Sequence, residues 1–133
     1  MSIALSIAVS GMAAAGIRLQ VAAGNVANAL SFGPLPDTNN AADFPAVYTP
    51  LRVDQTEIAG GGTEAVAASL PSYTPLYDPT APFADASGLV AAPNVDLNNQ
   101  LVEQMLASFA YAANAKVATA AARTTNYLLN ITA

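Results

Sequence analysis

The chain lacks three residue types on which much protein chemistry depends. Its 133 residues include no histidine, no cysteine and no tryptophan. Without histidine, the usual arrangements of a nucleophile and its base cannot be built. Without cysteine, disulfides and thiolate metal sites are excluded. A carboxylate pair could still act as acid and base, but the spacing of the nine acidic residues indicates no cleft. We therefore expect no enzyme activity, no cofactor and no metal site.

Charge is also scarce. Charged residues make up 10% of the chain, against about 25% in typical soluble domains. The net charge is −5, and the basic residues are four and scattered: Arg18, Arg52, Lys116 and Arg123. Nucleic acids and anionic membranes are bound by clustered Lys and Arg, so we expect no nucleic-acid partner and no direct membrane insertion. A surface so poor in charge indicates burial against other subunits.

The positions of proline divide the chain into three parts. All nine prolines lie between Pro34 and Pro93, and proline costs about 3 kcal/mol inside a helix. We predict an N-terminal core helix over 1–32, an extended loop and small β region over 33–94, and a C-terminal core helix over 95–133. The predicted fold class is therefore mainly α, with an irregular middle carrying a small β-hairpin.

The N-terminal helix is predicted from Ser2, its N-cap, to about Leu30, with Gly33 and Pro34 ending it. Its apolar or small residues recur at alternating spacings of four and three: Leu5, Val9, Met12, Gly16, Leu19, Ala23, Val26 and Leu30. This heptad pattern is typical of a helix that packs along a partner helix.

Three glycines lie inside this helix: Gly11, Gly16 and Gly24. Each weakens an isolated helix by about 1 kcal/mol relative to alanine. Two interpretations stay open, a loosely formed helix or the close approach of neighbouring backbones.

The C-terminal helix is predicted from about Asp96 to about Ile131, with Asn94 or Asp96 as its cap. One stripe of the helix carries Val102, Leu106, Phe109, Ala113, Val117, Ala120, Thr124, Tyr127 and Ile131. A helix of about 35 residues extends for about 52 Å, which is too long for a compact domain of this size. We therefore expect it to project or to pair with the other end of the chain.

The middle of the chain shows weak β signals. The segments 47–49 and 51–53 are β-prone, and Pro50 between them restricts any strand to a sheet edge. Gly60, Gly61 and Gly62 form a turn signal between 56–59 and 63–70, which predicts one hairpin. The segment 72–82 holds three prolines, and we predict that it is extended, wrapped chain.

A membrane span or a signal peptide is the alternative interpretation of the N-terminal segment. The run Ala13-Ala14-Ala15 is similar to a small-residue cleavage site, but residues 1–17 carry no basic side chain for the positive n-region. Arg18 falls inside any 20-residue window of a span. We therefore expect neither a cleaved signal peptide nor a membrane span.

Spaced motifs at both ends resemble bacterial flagellar axial proteins. The N-terminal motif combines Ser10-Gly11-Met12, Arg18-Leu19 and Asn25-Val26-Ala27-Asn28. The C-terminal motif runs through Pro93-Asn94-Val95-Asp96, Glu103-Gln104-Met105 and Ala110-Tyr111-Ala112-Ala113-Asn114. This second set is similar to the FlgC family of proximal rod proteins. The alternatives are another axial protein (FlgB-like or a distal rod subunit) and, from a different class, a membrane-active helical protein.

The resemblance implies a structural subunit of the flagellar basal-body rod. The terminal helices would pair as a coiled-coil-like core domain, and copies would polymerise helically around the export channel. The implied location is the periplasmic rod, reached through the flagellar type III export apparatus. The implied partners are copies of the chain, other rod and basal-body proteins, and the export apparatus during secretion.

The apolar stripes and the motif residues together predict the subunit interface. Asn25 and Asn28 have two interpretations. They are either ordinary polar surface or a helix-exit cap, or they form hydrogen bonds at the subunit interface. The same two interpretations apply to Tyr111 and Asn114. The predicted interface residues are Leu5, Val9, Met12, Arg18, Leu19, Asn25, Val26, Asn28, Val102, Met105, Leu106, Phe109, Tyr111, Asn114, Val117 and Tyr127.

Overall fold

The computed structural model describes residues 3–36, 38 and 41–132. The predicted N-cap Ser2 lies outside the described residues. The elements in chain order are helix α1 (Ile3–Ala27), a short 3-10 helix (Ala41–Asp43), strands β1 (Leu51–Glu57), β2 (Thr63–Ser69), β3 (Tyr73–Tyr77) and β4 (Leu89–Pro93), and helix α2 (Leu97–Thr132). The chain is thus mainly helical at both ends, with short strands between them.

The helix ends follow local hydrogen bonding. Helix α1 ends at Ala27, three residues before the predicted Leu30, because the backbone tightens there: Ala29 N donates to Val26 O, and Ser31 N donates to Asn28 O. At the start of α2, Asp96 Oδ1 accepts hydrogen bonds from the backbone nitrogens of Asn98 (2.9 Å) and Asn99 (3.1 Å). Asp96 is therefore the N-cap, since its carboxylate satisfies donors of the first turn.

Strands β1 and β2 form the predicted hairpin. The turn contains Gly60, Gly61 and Gly62 with φ angles of 95°, 95° and 108°, a region that glycine enters without steric cost. Of the two β-prone segments, however, only 51–53 lies in a strand. Residues 47–49 lie outside β1, and the backbone nitrogen of Tyr48 instead donates to Ser31 O at 3.2 Å.

A second pair of strands corrects the prediction of one hairpin and of extended, wrapped chain over 72–82. Strand β3 pairs antiparallel with β4, and Pro75 lies opposite Ala91. Both backbone groups of Ala91 bond to Gly33 on its other side, at 2.9 and 3.0 Å. The Pro75–Ala91 pair is therefore a non-hydrogen-bonded pair, so the missing N–H of Pro75 costs no ladder bond.

The chain divides into two compact units. The helix–hairpin unit comprises Met1–Val21, Val53–Ala67 and Val102–Ala133, and the strand-pair unit comprises Ala22–Arg52 and Ala68–Leu101. The buried apolar residues of the helix–hairpin unit are Ala8, Ala14, Ala15, Val21, Ala65 and Ala107, and those of the strand-pair unit are Ala22, Val90 and Ala91. Because alanine buries little area, neither core is thick.

Candidate assembly interface

The helix–hairpin unit buries small side chains and exposes large ones. Ala107 is fully buried, whereas Phe109, two residues further along α2, is 67% exposed. All nine positions of the predicted α2 stripe are exposed, from Val102 to Ile131. On α1, Val9 and Leu19 are exposed, and Leu5 and Met12 are half-buried. Most of the larger apolar side chains of both helices are thus at least partly exposed, and Val21 on α1 is a buried exception.

The buried faces of the two helices are built from different residues than the stripes. On α1 the buried or half-buried residues of this face are Ala8, Gly11, Ala15 and Arg18, and on α2 they are Glu103, Ala107, Ala110 and Asn114. Their spacings of three and four are those of a helix-packing face. This seam lies on different faces of the helices from the apolar stripes, because small residues allow helices to approach closely and larger apolar ones do not.

An ion pair and a glycine contact join α1 to α2 within this unit. Arg18 Nε donates to Glu103 Oε1 at 2.6 Å, and this hydrogen bond raises the pKa of Arg18 against an opposing effect of burial. A Cβ placed on Gly11 would lie 2.7 Å from the carboxamide of Asn114. The residue order of the two contacts shows that the helices run antiparallel.

The glycines of α1 differ in what surrounds them. A Cβ on Gly16 would meet no atom within 4 Å, and one on Gly24 would make only an ordinary contact with Tyr48 Oη at 3.8 Å. Of the three glycines, Gly11 alone has a close neighbour within the chain, and that neighbour is the Asn114 side chain, not a backbone. The Asn114 amide donates to Ala110 O at 2.9 Å, so the side chain that Gly11 accommodates is itself tied to α2.

The hairpin turn packs on the first half of α1. Thr63 N donates to Ser10 Oγ at 3.2 Å. A Cβ on Gly61 would lie 2.9 Å from Ile7 Cδ1, and one on Gly62 would lie 2.6 Å from Ser10 Oγ. Beside this contact, a cleft of about 300 Å³ is lined by residues of α1, α2 and the hairpin, among them Gly11, Arg18, Gln55, Thr63 and Asn114.

Asn25 is the polar centre of the strand-pair unit. It is 2% exposed, and its amide nitrogen donates to Leu51 O (2.7 Å) and to Gln100 Oε1 (3.0 Å). Its Oδ1 accepts from Leu51 N (2.9 Å) and from Tyr48 Oη (3.0 Å). Two donors and two acceptor positions are all that a carboxamide has, so Asn25 is fully satisfied within the chain. Burial also raises the pKa of Tyr48.

With these bonds made inside the chain, the Asn25 side chain is 2% exposed and offers little surface to a neighbour. Its placement at a subunit interface stays a prediction. Asn28 is half-buried, and its amide donates to Gly24 O at 2.9 Å, which fits the helix-exit interpretation. The remaining predicted residues stay accessible to different extents. Val26 is half-buried, while Met105, Leu106, Tyr111, Val117 and Tyr127 are exposed.

Helix α1 is long and apolar enough to cross a membrane by length and composition. The core helix of a soluble protein and a signal sequence pass the same test, so this property alone is weak evidence of a span. The in-chain pairing of Arg18 with Glu103 gives the one charge in the middle of α1 a partner on α2.

Comparison with known proteins identifies the family. The family described as "Flagellar basal body rod FlgEFG protein C-terminal" matches residues 86–131, which cover β4 and nearly all of α2. The flagellar basal-body rod protein FlgC of Salmonella typhimurium is 39% identical over 115 residues, covering 84% of this chain and 82% of the relative. The FlgC proteins of Escherichia coli O157:H7 (38% identical over 115 residues, 84% and 82% covered) and Aquifex aeolicus (34% over 115 residues, 85% and 83% covered) are similar too. The chain therefore belongs to the FlgC family of flagellar basal-body rod proteins.

Proposed function

We propose that the chain is a structural, non-enzymatic subunit of the proximal rod that polymerises helically around the export channel through its terminal helices. The observation that carries this proposal is the distribution of side chains on α1 and α2. Small residues fill the seam inside the chain, and the larger apolar residues lie outside it. Such an arrangement is suited to a subunit whose main hydrophobic burial comes with assembly.

The energetics support assembly through the exposed stripe. Full burial of a Val, Leu or Phe side chain contributes about 1.5–3 kcal/mol, and the stripe on α2 offers Val102, Leu106, Phe109 and Val117, each at least half exposed. A contact between this stripe and a different face of the next copy is heterologous. Heterologous contacts that do not close into a ring generate a helical filament, which is the geometry a rod requires.

The same proposal names the partners and the location. Copies of the chain and other rod proteins would cover the stripes, with the two terminal helices of each copy paired as a coiled-coil-like core domain. The periplasmic part of the basal body is the location, and the flagellar export apparatus delivers the chain there without a cleaved signal. The antiparallel contacts of Arg18 with Glu103 and of Gly11 with Asn114 support this pairing of helices.

A single charge on the stripe tests the proposal. We expect Leu106→Asp to abolish rod assembly, because burying an unpaired carboxylate in an apolar contact is strongly unfavourable. Leu106 is 51% exposed, so the isolated chain should keep its helix content by circular dichroism. Basal bodies purified from cells lacking their own copy are then examined for rods.

Ser108→Asp is the matched control. It adds the same charge at an exposed position of α2, two residues from Leu106 and so about half a turn away around the helix, and should assemble normally. Rods containing Leu106→Asp at the level of this control would refute the role of the stripe. Flotation of the wild-type chain with liposomes would instead favour a membrane-active protein.

A further inference from the structure

Charge is separated along the chain. Residues 104–133 contain two basic residues and no acidic one, whereas residues 1–103 contain nine acidic and two basic residues, a net charge of −7. The outer part of α2 is therefore cationic in an otherwise acidic molecule. Two copies repel each other unless this cationic part of one meets an acidic part of the other.

The cationic residues share a groove on α2. Lys116 and Arg123 are seven residues apart, so they lie on one side of the helix and about 10 Å apart along it. With Ala115, Thr119 and Ala120 they line a groove of about 420 Å³. Both basic side chains are exposed, and within the described part of the chain neither has an ion pair. The one acidic residue of α2, Glu103, is already bonded to Arg18.

The acidic counterpart lies at the tip of the β1–β2 hairpin. Glu57 is the last residue of β1 and Glu64 the second residue of β2, and both are exposed. By contrast, the carboxylates of Asp78, Asp85 and Asp96 accept hydrogen bonds from nearby backbone nitrogens. Asp43 and Asp54 are exposed too, but Glu57 and Glu64 are the two carboxylates that flank one turn, so they are the better placed to meet two cations of one partner surface.

From this complementarity we infer that the Lys116–Arg123 groove of one copy receives the Glu57–Glu64 hairpin tip of a second copy. The inference rests on the proposed rod function, since it names one of the contacts between neighbouring subunits. The two surfaces are different, so the contact is heterologous and continues from copy to copy. The groove also lies beside the apolar stripe, because Lys116 precedes Val117 and Arg123 precedes Thr124.

Cysteine crosslinking tests the contact directly, because the chain has no cysteine of its own. Lys116→Cys and Glu64→Cys are made in two separately tagged copies and co-expressed in cells lacking the native protein. Because an ion pair between two long side chains leaves their Cβ atoms too far apart for a disulfide, purified basal bodies are treated with a short bismaleimide, and we expect a crosslinked dimer carrying both tags. Lys116→Cys combined with Ala86→Cys, an exposed position outside the hairpin, is the control. Crosslinking of the test pair no greater than that of the control would overturn the inference.

Charge reversal gives a second and independent measurement. Lys116→Glu with Arg123→Glu should lower the yield of assembled rods about tenfold, in line with the modest strength of exposed ion pairs. Adding Glu57→Lys and Glu64→Lys to the same chain should restore the yield. Wild-type yield in the first variant, or no restoration in the second, would count against the groove.

A failure of the groove inference can be distinguished from a failure of the rod proposal. If Leu106→Asp blocks assembly while the charge-reversed chain assembles normally, the groove inference fails and the rod function stands. If Leu106→Asp assembles normally, the role of the apolar stripe fails, and if the wild-type chain is absent from purified basal bodies, the rod proposal itself fails. Should the cationic groove bind a different rod protein, a photoactivated crosslinker attached at Lys116→Cys would capture that protein and not a second copy, which would also overturn the inference.

Discussion

The interactions that stabilise the helix–hairpin unit internally differ from those that stabilise the strand-pair unit. The helix–hairpin unit relies on close packing of small residues, with Gly11 against Asn114 and one ion pair between Arg18 and Glu103. The strand-pair unit relies on a buried carboxamide, Asn25, and on a ladder between β3 and β4. The comparison teaches that the first unit is packed mainly through small residues on two helices, while the second is organised by polar bonds around one buried side chain. Both units leave large apolar side chains exposed.

The largest expected loss of stability comes from a substitution at Asn25, the polar centre of the strand-pair unit. Asn25→Ala removes four hydrogen bonds and leaves the backbone of Leu51 and the side chain of Gln100 without them. Each buried group left unsatisfied costs about 1–3 kcal/mol, so we expect a loss of about 3 kcal/mol in the free energy of unfolding, measured by urea denaturation.

Asn28→Ala is the matched control for this change. It lies three residues away, directly after the end of α1, and loses a bond to Gly24 O and a longer one from Ser31 Oγ. We expect a loss of about 0.5–1 kcal/mol. Equal losses from the two substitutions would show that Asn25 is not the organising residue of the strand-pair unit.

Alanine substitutions at two glycines test the seam of the helix–hairpin unit. We expect smaller changes in stability here, and the two substitutions should differ in their effect. Gly16→Ala should stabilise the chain by about 1 kcal/mol, because alanine is the better helix former and the new Cβ meets nothing within 4 Å. Gly11→Ala gains the same propensity but places its Cβ 2.7 Å from the Asn114 carboxamide. We expect it to be neutral or destabilising, as measured by thermal unfolding.

The double substitution Gly11→Ala with Asn114→Ala separates the two effects. Removing the carboxamide should release the steric conflict, so that alanine at position 11 becomes stabilising, as at position 16. If Gly11→Ala alone stabilises as much as Gly16→Ala, the close approach of α1 and α2 at this point is not what limits residue 11.

The smallest expected effect is a pH dependence in the strand-pair unit. Burial raises the pKa of Tyr48 above its ordinary value of 10.0. The neutral form is therefore favoured in the folded state, and this contribution to stability is complete below pH 10.0 and is lost as the pH rises through the raised pKa.

Tyr48→Phe tests this contribution. It should lower the free energy of unfolding at neutral pH by about 1 kcal/mol, because the bond to Asn25 is lost. The variant should also lose less stability than the wild-type chain between pH 9 and pH 11. An unchanged alkaline loss in the variant would mean that Tyr48 is not its source.

Local sequence signals predicted the elements well where the chemistry is local. The proline distribution separated the helical ends from the middle, Asp96 was among the predicted caps, and the triple glycine marked the turn between β1 and β2. Strand β3 was missed because Pro75 and its neighbours resemble irregular chain. Its pairing is permitted by a long-range fact, namely that Ala91 bonds to Gly33 and leaves Pro75 opposite a position that needs no N–H.

The interface prediction was also limited by contacts between distant parts of the chain. Heptad spacing gave each terminal helix an apolar stripe, but spacing cannot tell a stripe that packs within the chain from one that stays exposed. Ala8, Gly11 and Ala15 form an equally periodic face, and the small size of these residues was the signal that could have identified the in-chain seam. Asn25 likewise has no local signal of burial, because its four hydrogen bonds go to Tyr48, Leu51 and Gln100, all at least 23 residues away in the sequence.

By itself, the sequence determined that the ends are helical, that the chain has no histidine or cysteine chemistry, and that it resembles rod proteins. These features depend on residue type and on spacing along a single helix. Only the tertiary structure decided which helix face is buried, that Asn25 is internal, and that β3 and β4 pair. These features depend on which distant residues meet, and contacts across the chain are fixed by packing and hydrogen-bond satisfaction rather than by local pattern.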